Sequence, residues 1–231
     1  MQNEDILIKR RIIIEWLTMV HVDYTLKPET FYLCINILDR VLSKVKISDE
    51  YMLLAVTVIF TASKYEEIYP PELDDFISAC PQEIDINDVI KYEEQMLSLL
   101  DYELLTISPY VFLIRYSNII NEKEDILHLA NLLMDISLFN KNYCKLTESL
   151  KAASAIYTAA KIYNIKDKKY WDNYFCYYTD YATKDMEPIS NIIINYIKNE
   201  SDISKLNVYN KYDTSHYKYV STKLSKYIKN N

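Results

Sequence analysis

Side-chain catalysis needs nucleophiles, bases or metal ligands gathered at workable spacings, and this chain scatters them. Its three histidines, His21, His128 and His216, lie far apart, and no HExxH occurs. The four cysteines, Cys34, Cys80, Cys144 and Cys176, form no CxxC and no zinc-ligand spacing. They read as buried or idle thiols of a reducing compartment. The acid pairs Asp74-Asp75 and Glu93-Glu94 are adjacent in sequence, and adjacent residues on a helix point apart, so they make poor acid–base couples. Glycine is absent from all 231 residues. Loops that cradle phosphates and dinucleotide fingerprints need glycine where backbone meets phosphate, so both are excluded. No catalytic residue, cofactor or metal site is expected from these residues.

The chemistry that remains is recognition. Residues 1–106 carry 20 acidic and 9 basic side chains, whereas residues 201–231 carry 6 lysines and 2 aspartates. An acidic first half lacks the lysines and arginines that phosphate contacts require, which argues against direct nucleic-acid binding there. It favours a basic protein partner, or is simply a solvated acidic face. The lysine-spaced tail reads as a solubilising terminus. No apolar run approaches the ~20 residues of a membrane span, and the N-terminus is no signal peptide, so no membrane contact and an intracellular protein of nucleus or cytoplasm are expected. Ile, Tyr, Lys and Asn are abundant and Gly is missing, a bias that AT-rich codons explain better than function does.

The elements that must position any binding residues are helices. Apolar residues recur at three-to-four spacing almost throughout, and without glycine tight hairpins are disfavoured. Helices are predicted over 5–22, from Pro28 through Leu42, over 49–66 with Ser48 as N-cap, over 72–79, and from an Asp85 cap to about 100. Ser108-Pro109 restarts the pattern, with helices over 109–118, 123–139, 147–163, 168–174 and 184–199. The third helix of each set is similar: Ala55–Lys64 and Ala152–Lys161, 97 residues apart, agree at five of ten positions. Their small residues suit a central helix crowded by others. The fold class is therefore all-α: two tandem five-helix domains, 1–106 and 107–200, with a basic C-terminal tail, 201–231.

These residues, in order, resemble a known family. Arg10-Arg-Ile-Ile-Ile-Glu15-Trp16-Leu17, Pro28-Glu29-Thr30, Ile37-Leu38-Asp39-Arg40 and Ala62-Ser63-Lys64-Tyr65-Glu66-Glu67-Ile68-Tyr69-Pro70-Pro71-Glu72 resemble the cyclin box of A/B-type, mitotic-like cyclins. Leu100-Asp101-Tyr102-Glu103-Leu104 resembles the segment that closes the box. Weaker similarity runs through the second domain to Lys211-Tyr212, Tyr217 and Val220-Ser221. The family fold, two tandem five-helix domains, agrees with the internal repeat.

The resemblance implies a regulatory subunit that forms a heterodimer with a cyclin-dependent protein kinase. Such a subunit presses on the kinase's αC helix, seats its Lys–Glu pair and reorders its activation loop, and so controls cell division. Lys64 and Glu93 match the family's charged kinase-contact positions. Tyr65 and Tyr102 match aromatic ones, Leu97 and Leu104 aliphatic ones, and Glu66 and Glu67 an acidic pair beside the same surface. Lys64 and Glu93 would equally make an ion pair within their own domain, and the two readings are compatible. Arg40 and Asp75 read as domain-stabilising.

Departures from the family pattern concern substrate choice. Many A-type cyclins dock a basic–x–Leu motif, carried by kinase substrates and inhibitors, on a groove between the first and third helices. Ile12, Ile13 and Trp16 would keep its apolar floor, although Trp16 also reads as simply a core anchor. Met19 stands where the family has the acid that meets the basic residue, Tyr51-Met52 replaces a Leu-Gln pair, and Lys9 an apolar residue. Weak or altered docking is expected. No RxxL destruction box occurs, and most of the helix that precedes the first domain is missing. A minimal cyclin, viral or parasitic, fits this, with Met1 favouring it over an excised fragment. The alternatives are a cyclin-fold decoy or scaffold that binds kinase or inhibitor without activating, and a transcription-related cyclin-fold protein.

Overall fold

The computed structural model describes residues 2–45, 50–120, 124–165, 170–200 and 203–230. The described residues are helical with turns and no strand. They form two compact units, 1–106 and 107–231.

The first unit holds α1 (Gln2–Asp23), α2 (Pro28–Lys44), α3 (Tyr51–Glu66), α4 (Leu73–Ser78) and α5 (Ile86–Leu99). The helix α3 is its centre, touching α1, α2, α4 and α5. Ala55, Val56, Val58, Ile59 and Ala62 are fully enclosed, and their small or β-branched side chains let four neighbours approach closely. Local chemistry sets the ends. Pro28 opens α2, where its missing N–H costs nothing. The Asp85 carboxylate accepts the Asn87 N–H (2.7 Å) at the start of α5, and the Glu72 N–H donates to Asp75 (2.9 Å) at the start of α4. The proposed cap Ser48, with Asp49, lies outside the described residues.

The second unit repeats the plan with α6 (Pro109–Ile120), α7 (Glu124–Ser137), α8 (Glu148–Ile162), a π-helical turn (Tyr170–Phe175) running into α9 (Cys176–Thr179), and α10 (Thr183–Asn199). The helix α8, counterpart of α3, packs on α6, α7 and α10, and residues 151–160 are all buried. The predicted start at Lys123, and Lys168, lie outside the described residues.

The tail corrects one expectation. It is not merely a solubilising terminus: α11 (Asn207–Lys211) and α12 (Val220–Asn230) pack on α7. Leu206, Val208, Tyr209, Tyr212, Val220 and Leu224 are buried. Asp135, itself enclosed, accepts from Lys211 Nζ (2.9 Å) and the Tyr212 hydroxyl (2.7 Å). The tail's lysines mask a set of apolar residues that belong to the second core.

Without glycine, the chain makes its left-handed residues from other types: Thr25, Asp101, Tyr102, Asn164, Asp180, Lys218 and Tyr219 all have φ between 51° and 63°. Several stop helices. Thr25 lets the Leu26 N–H reach back to the His21 carbonyl, Asn164 does the same for Ile165 and Ala160, and Tyr102 itself donates to the Leu97 carbonyl.

Candidate functional site

The last turn of α3 brings Phe60, Thr61 and Lys64 to one side of the helix, since residues three and four apart are neighbours. α5 packs alongside and supplies Glu93. One Glu93 oxygen accepts from Lys64 Nζ at 2.7 Å, and the other accepts from the Thr61 hydroxyl at 2.5 Å. The Lys64 ammonium also lies 3.9 Å from the centroid of the Phe60 ring. The Glu93 side chain is 13% exposed and that of Lys64 41%. The intradomain ion pair read as one option from the sequence is therefore formed. It still presents an ammonium at the surface, because a lysine has three donors and Glu93 takes one.

The apolar and aromatic candidates lie on α3, on α5 and on the segment that follows α5. Tyr65 follows Lys64 and is about half exposed. Leu97, one turn beyond Glu93 on α5, is partly covered, as is Leu104. Tyr102 is 66% exposed, on the turn that ends α5. Cations of α2 hold that turn: Arg40 donates to the Glu103 and Leu100 carbonyls (2.6 and 3.5 Å), and Lys44 to the Leu99 carbonyl (2.7 Å). Cations suit the negative end of a helix. Ile68, Tyr69 and Leu105 are more exposed still, Tyr69 at 91%. Ile68 and Tyr69 belong to the motif that carries the resemblance, and Leu105 lies just beyond the segment that closes the box. Large side chains beside the proline pair and the domain end were the available signal.

The acidic pair divides. The Glu67 carboxylate faces inward across the start of α2, accepting the Lys27 N–H (2.8 Å) and the Thr30 hydroxyl (2.5 Å). It serves one of the four N–H groups a helix start leaves over. The Glu66 carbonyl accepts from Lys27 Nζ (2.6 Å). Burial, assisted by nearby Glu29, raises the Glu66 carboxyl above its ordinary pKa. Asp75, beyond its bond to the Glu72 N–H, offers its own carbonyl to the Tyr24 hydroxyl (3.0 Å).

The six groove residues also divide between buried and exposed positions. Ile13 and Met52 have essentially no exposed surface. Trp16 is 6% exposed, with its indole N–H donated to the Ala79 carbonyl (3.1 Å). These three are core residues, because the apolar stripe of α1 faces α3. Tyr51 is half-buried. Only Ile12 and Met19 stand exposed. Lys9 pairs with Asp5 at 3.0 Å.

Among the described residues no group of three or more His, Cys, Asp or Glu is arranged to hold a metal, and no helix is long and apolar enough to cross a membrane.

Comparison with known proteins bears on the family and the fold. A family model described as "Cyclin, N-terminal domain" matches residues 2–105, and one described as "Cyclin, C-terminal domain" matches residues 107–226. The G2/mitotic-specific cyclin-B of Dictyostelium discoideum is 32% identical over 216 residues, covering 93% of this chain and 48% of its own. The G2/mitotic-specific cyclin S13-7 of Glycine max is 28% identical over 204 residues, covering 88% of this chain and 79% of its own. The X-ray structure of a viral cyclin from herpesvirus saimiri shares the fold, with a TM-score of 0.65 at 18% identity, covering 96% of this chain and 86% of that one. The chain spans about half the length of several curated relatives it matches. Two family models in tandem account for nearly every residue, and the central helices, the repeat and the motif order agree with them: the chain belongs to the cyclin family and is homologous to the mitotic B-type cyclins.

Proposed function

We propose that this chain is the regulatory subunit of a cyclin-dependent protein kinase, and that it activates the kinase by favouring the active placement of its αC helix and activation loop. The observation that carries this reading is the preformed Lys64–Glu93 pair on α3 and α5, the two helices that also carry Tyr65 and Leu97 and that lead into the segment of Tyr102 and Leu104. Aromatic anchors beside a charged pair are what a protein interface uses for affinity and register. The ammonium suits backbone carbonyls at the end of a partner helix or loop. Glu66 and Glu67 contribute by holding the start of α2 against the end of α3.

Thermodynamically such a subunit is a ligand for one of two kinase conformations. Its effect equals its differential affinity for them, and converting a kinase from about 1% to about 99% active takes roughly 10⁴-fold preference.

The test is reconstitution with a panel of cyclin-dependent kinases, reading phosphorylation of a histone-type substrate, beside Lys64→Ala/Glu93→Ala. Activation by the wild-type chain of at least one kinase is expected. The double variant should lose it while keeping its helical circular dichroism. Binding without activation would establish a decoy instead, and no binding across the panel would overturn the kinase reading.

A further inference from the structure

We propose that Thr61 is a positioning residue of this surface: its hydroxyl fixes the Glu93 carboxylate, and through it the Lys64 ammonium, before any partner arrives. The effect on binding rests on the function proposed above; the effect on the pair does not.

The direction of the Thr61 hydroxyl carries the inference. A threonine inside a helix ordinarily donates to the carbonyl four residues back. Thr18 donates to Ile14 (2.8 Å), Thr57 to Leu53 (2.8 Å), Thr158 to Ser154 (2.6 Å) and Thr179 to Phe175 (2.9 Å). Thr61 also lies inside a helix, and its hydroxyl instead crosses to Glu93 on α5. Thr158 is its counterpart in the internal repeat, so the same register makes the ordinary bond in one unit and the crossing bond in the other.

The second unit meets the same need by another route. Lys161, counterpart of Lys64, donates to Glu187 of α10 at 2.6 Å, and the hydroxyl of Tyr157, counterpart of Phe60, donates to the other Glu187 oxygen. In each unit a carboxylate opposite the central helix takes one lysine and one hydroxyl from that helix's last turns. The hydroxyl comes from Thr61 in one and Tyr157 in the other.

The physical consequence is preorganisation. A mostly buried carboxylate oxygen without a donor pays its desolvation in full. It would turn toward Lys64 or toward water, and the ammonium would follow. With Oε1 held by Thr61, only Oε2 faces Lys64, and the lysine settles over the Phe60 ring. A partner then meets one arrangement rather than many, and less side-chain freedom is lost on binding.

The experiment compares Thr61→Val, which keeps the shape and removes the donor, with Thr61→Ser, which keeps the donor. In the free chain the readout is the ¹⁵N relaxation order parameter of the Lys64 ammonium. It should fall in Thr61→Val and stay near wild type in Thr61→Ser. With the kinase identified in the panel, Thr61→Val should weaken binding about 10-fold, the scale of a hydrogen bond to a charged group, and Thr61→Ser by less than about 3-fold. In a Glu93→Gln background, Thr61→Val should add less than about 2-fold, because Thr61 acts through Glu93. An unchanged ammonium in Thr61→Val overturns the proposal whatever the kinase does. So does equal weakening by both substitutions, or full additivity with Glu93→Gln. If the ammonium loosens as expected but neither Lys64→Ala nor Thr61→Val affects any kinase, the positioning role stands and the kinase reading falls.

Discussion

At the scale of single residues, side chains that look equivalent in sequence do different work. Glu66 and Glu67 read as one acidic pair, yet Glu67 caps the start of α2 through the Lys27 N–H and Thr30. Glu67→Ala should therefore cost the first unit about 1 kcal/mol, the usual scale for a lost helix cap, measured by urea unfolding. Its effect on kinase affinity should be smaller than that of Lys64→Ala. The cap was illegible in the sequence because donor and acceptor lie some 40 positions apart. Lys64 and Glu93 were legible only through the surrounding motif, since lysines and glutamates on helices are usually solvated. Thr61 carried no signal: a threonine within an apolar helix reads as core, and its partner lies 32 positions away.

At the scale of elements, periodicity was a good guide where helices are long and one face is buried. The central roles of α3 and α8 followed from their small residues. Periodicity placed a helix over 168–174 but gave no sign that Tyr170–Phe175 is a π-helical turn or that the helix runs on to Thr179, because one wider turn leaves no separate pattern. It failed at α11 and α12, where short helices and a long turn break the period while six apolar residues still reach the core. In helix α1 the apolar residues were legible, and the structure adds which of them are enclosed. Ile13 and Trp16 of α1, like Met52 of α3, face the core, leaving Ile12 and Met19 exposed and Lys9 paired with Asp5. A groove with so little open floor and no acid at Met19 should bind a basic–x–Leu peptide, from a kinase substrate or inhibitor, at least about 10-fold more weakly than an A-type cyclin does. That is the scale of one lost charge-assisted contact. Fluorescence anisotropy with a labelled peptide measures it, and equal or tighter binding would refute it.

At the scale of the molecule, the tail's place in the second unit gives that unit a dependence on pH. His128 of α7 sits with its ring 6.0 Å from that of His216 and edge-on to Tyr217 at 5.2 Å. Lys218 clamps the same turn to Glu124 and Asp125 at 2.9 and 2.8 Å. Burial first, then His216 and Lys218, lower the His128 pKa, against the opposing pull of Glu124 and Asp125. A lowered histidine pKa means the unfolded chain binds the proton more readily. The stability this group contributes is thus intact above about 6.5, and is lost as pH falls from there through the folded value. Urea unfolding between pH 7.5 and 5.5 should show that loss, and His128→Asn should flatten it. The absence of glycine has a consequence of another kind. Tyr102 both ends α5 with a left-handed backbone and holds its ring out at the candidate surface. A glycine there would relieve the backbone and remove the proposed anchor in one step. At this position selection for a sturdier fold and selection for a tighter complex pull on the same codon in opposite directions, so neither trait is free to improve alone.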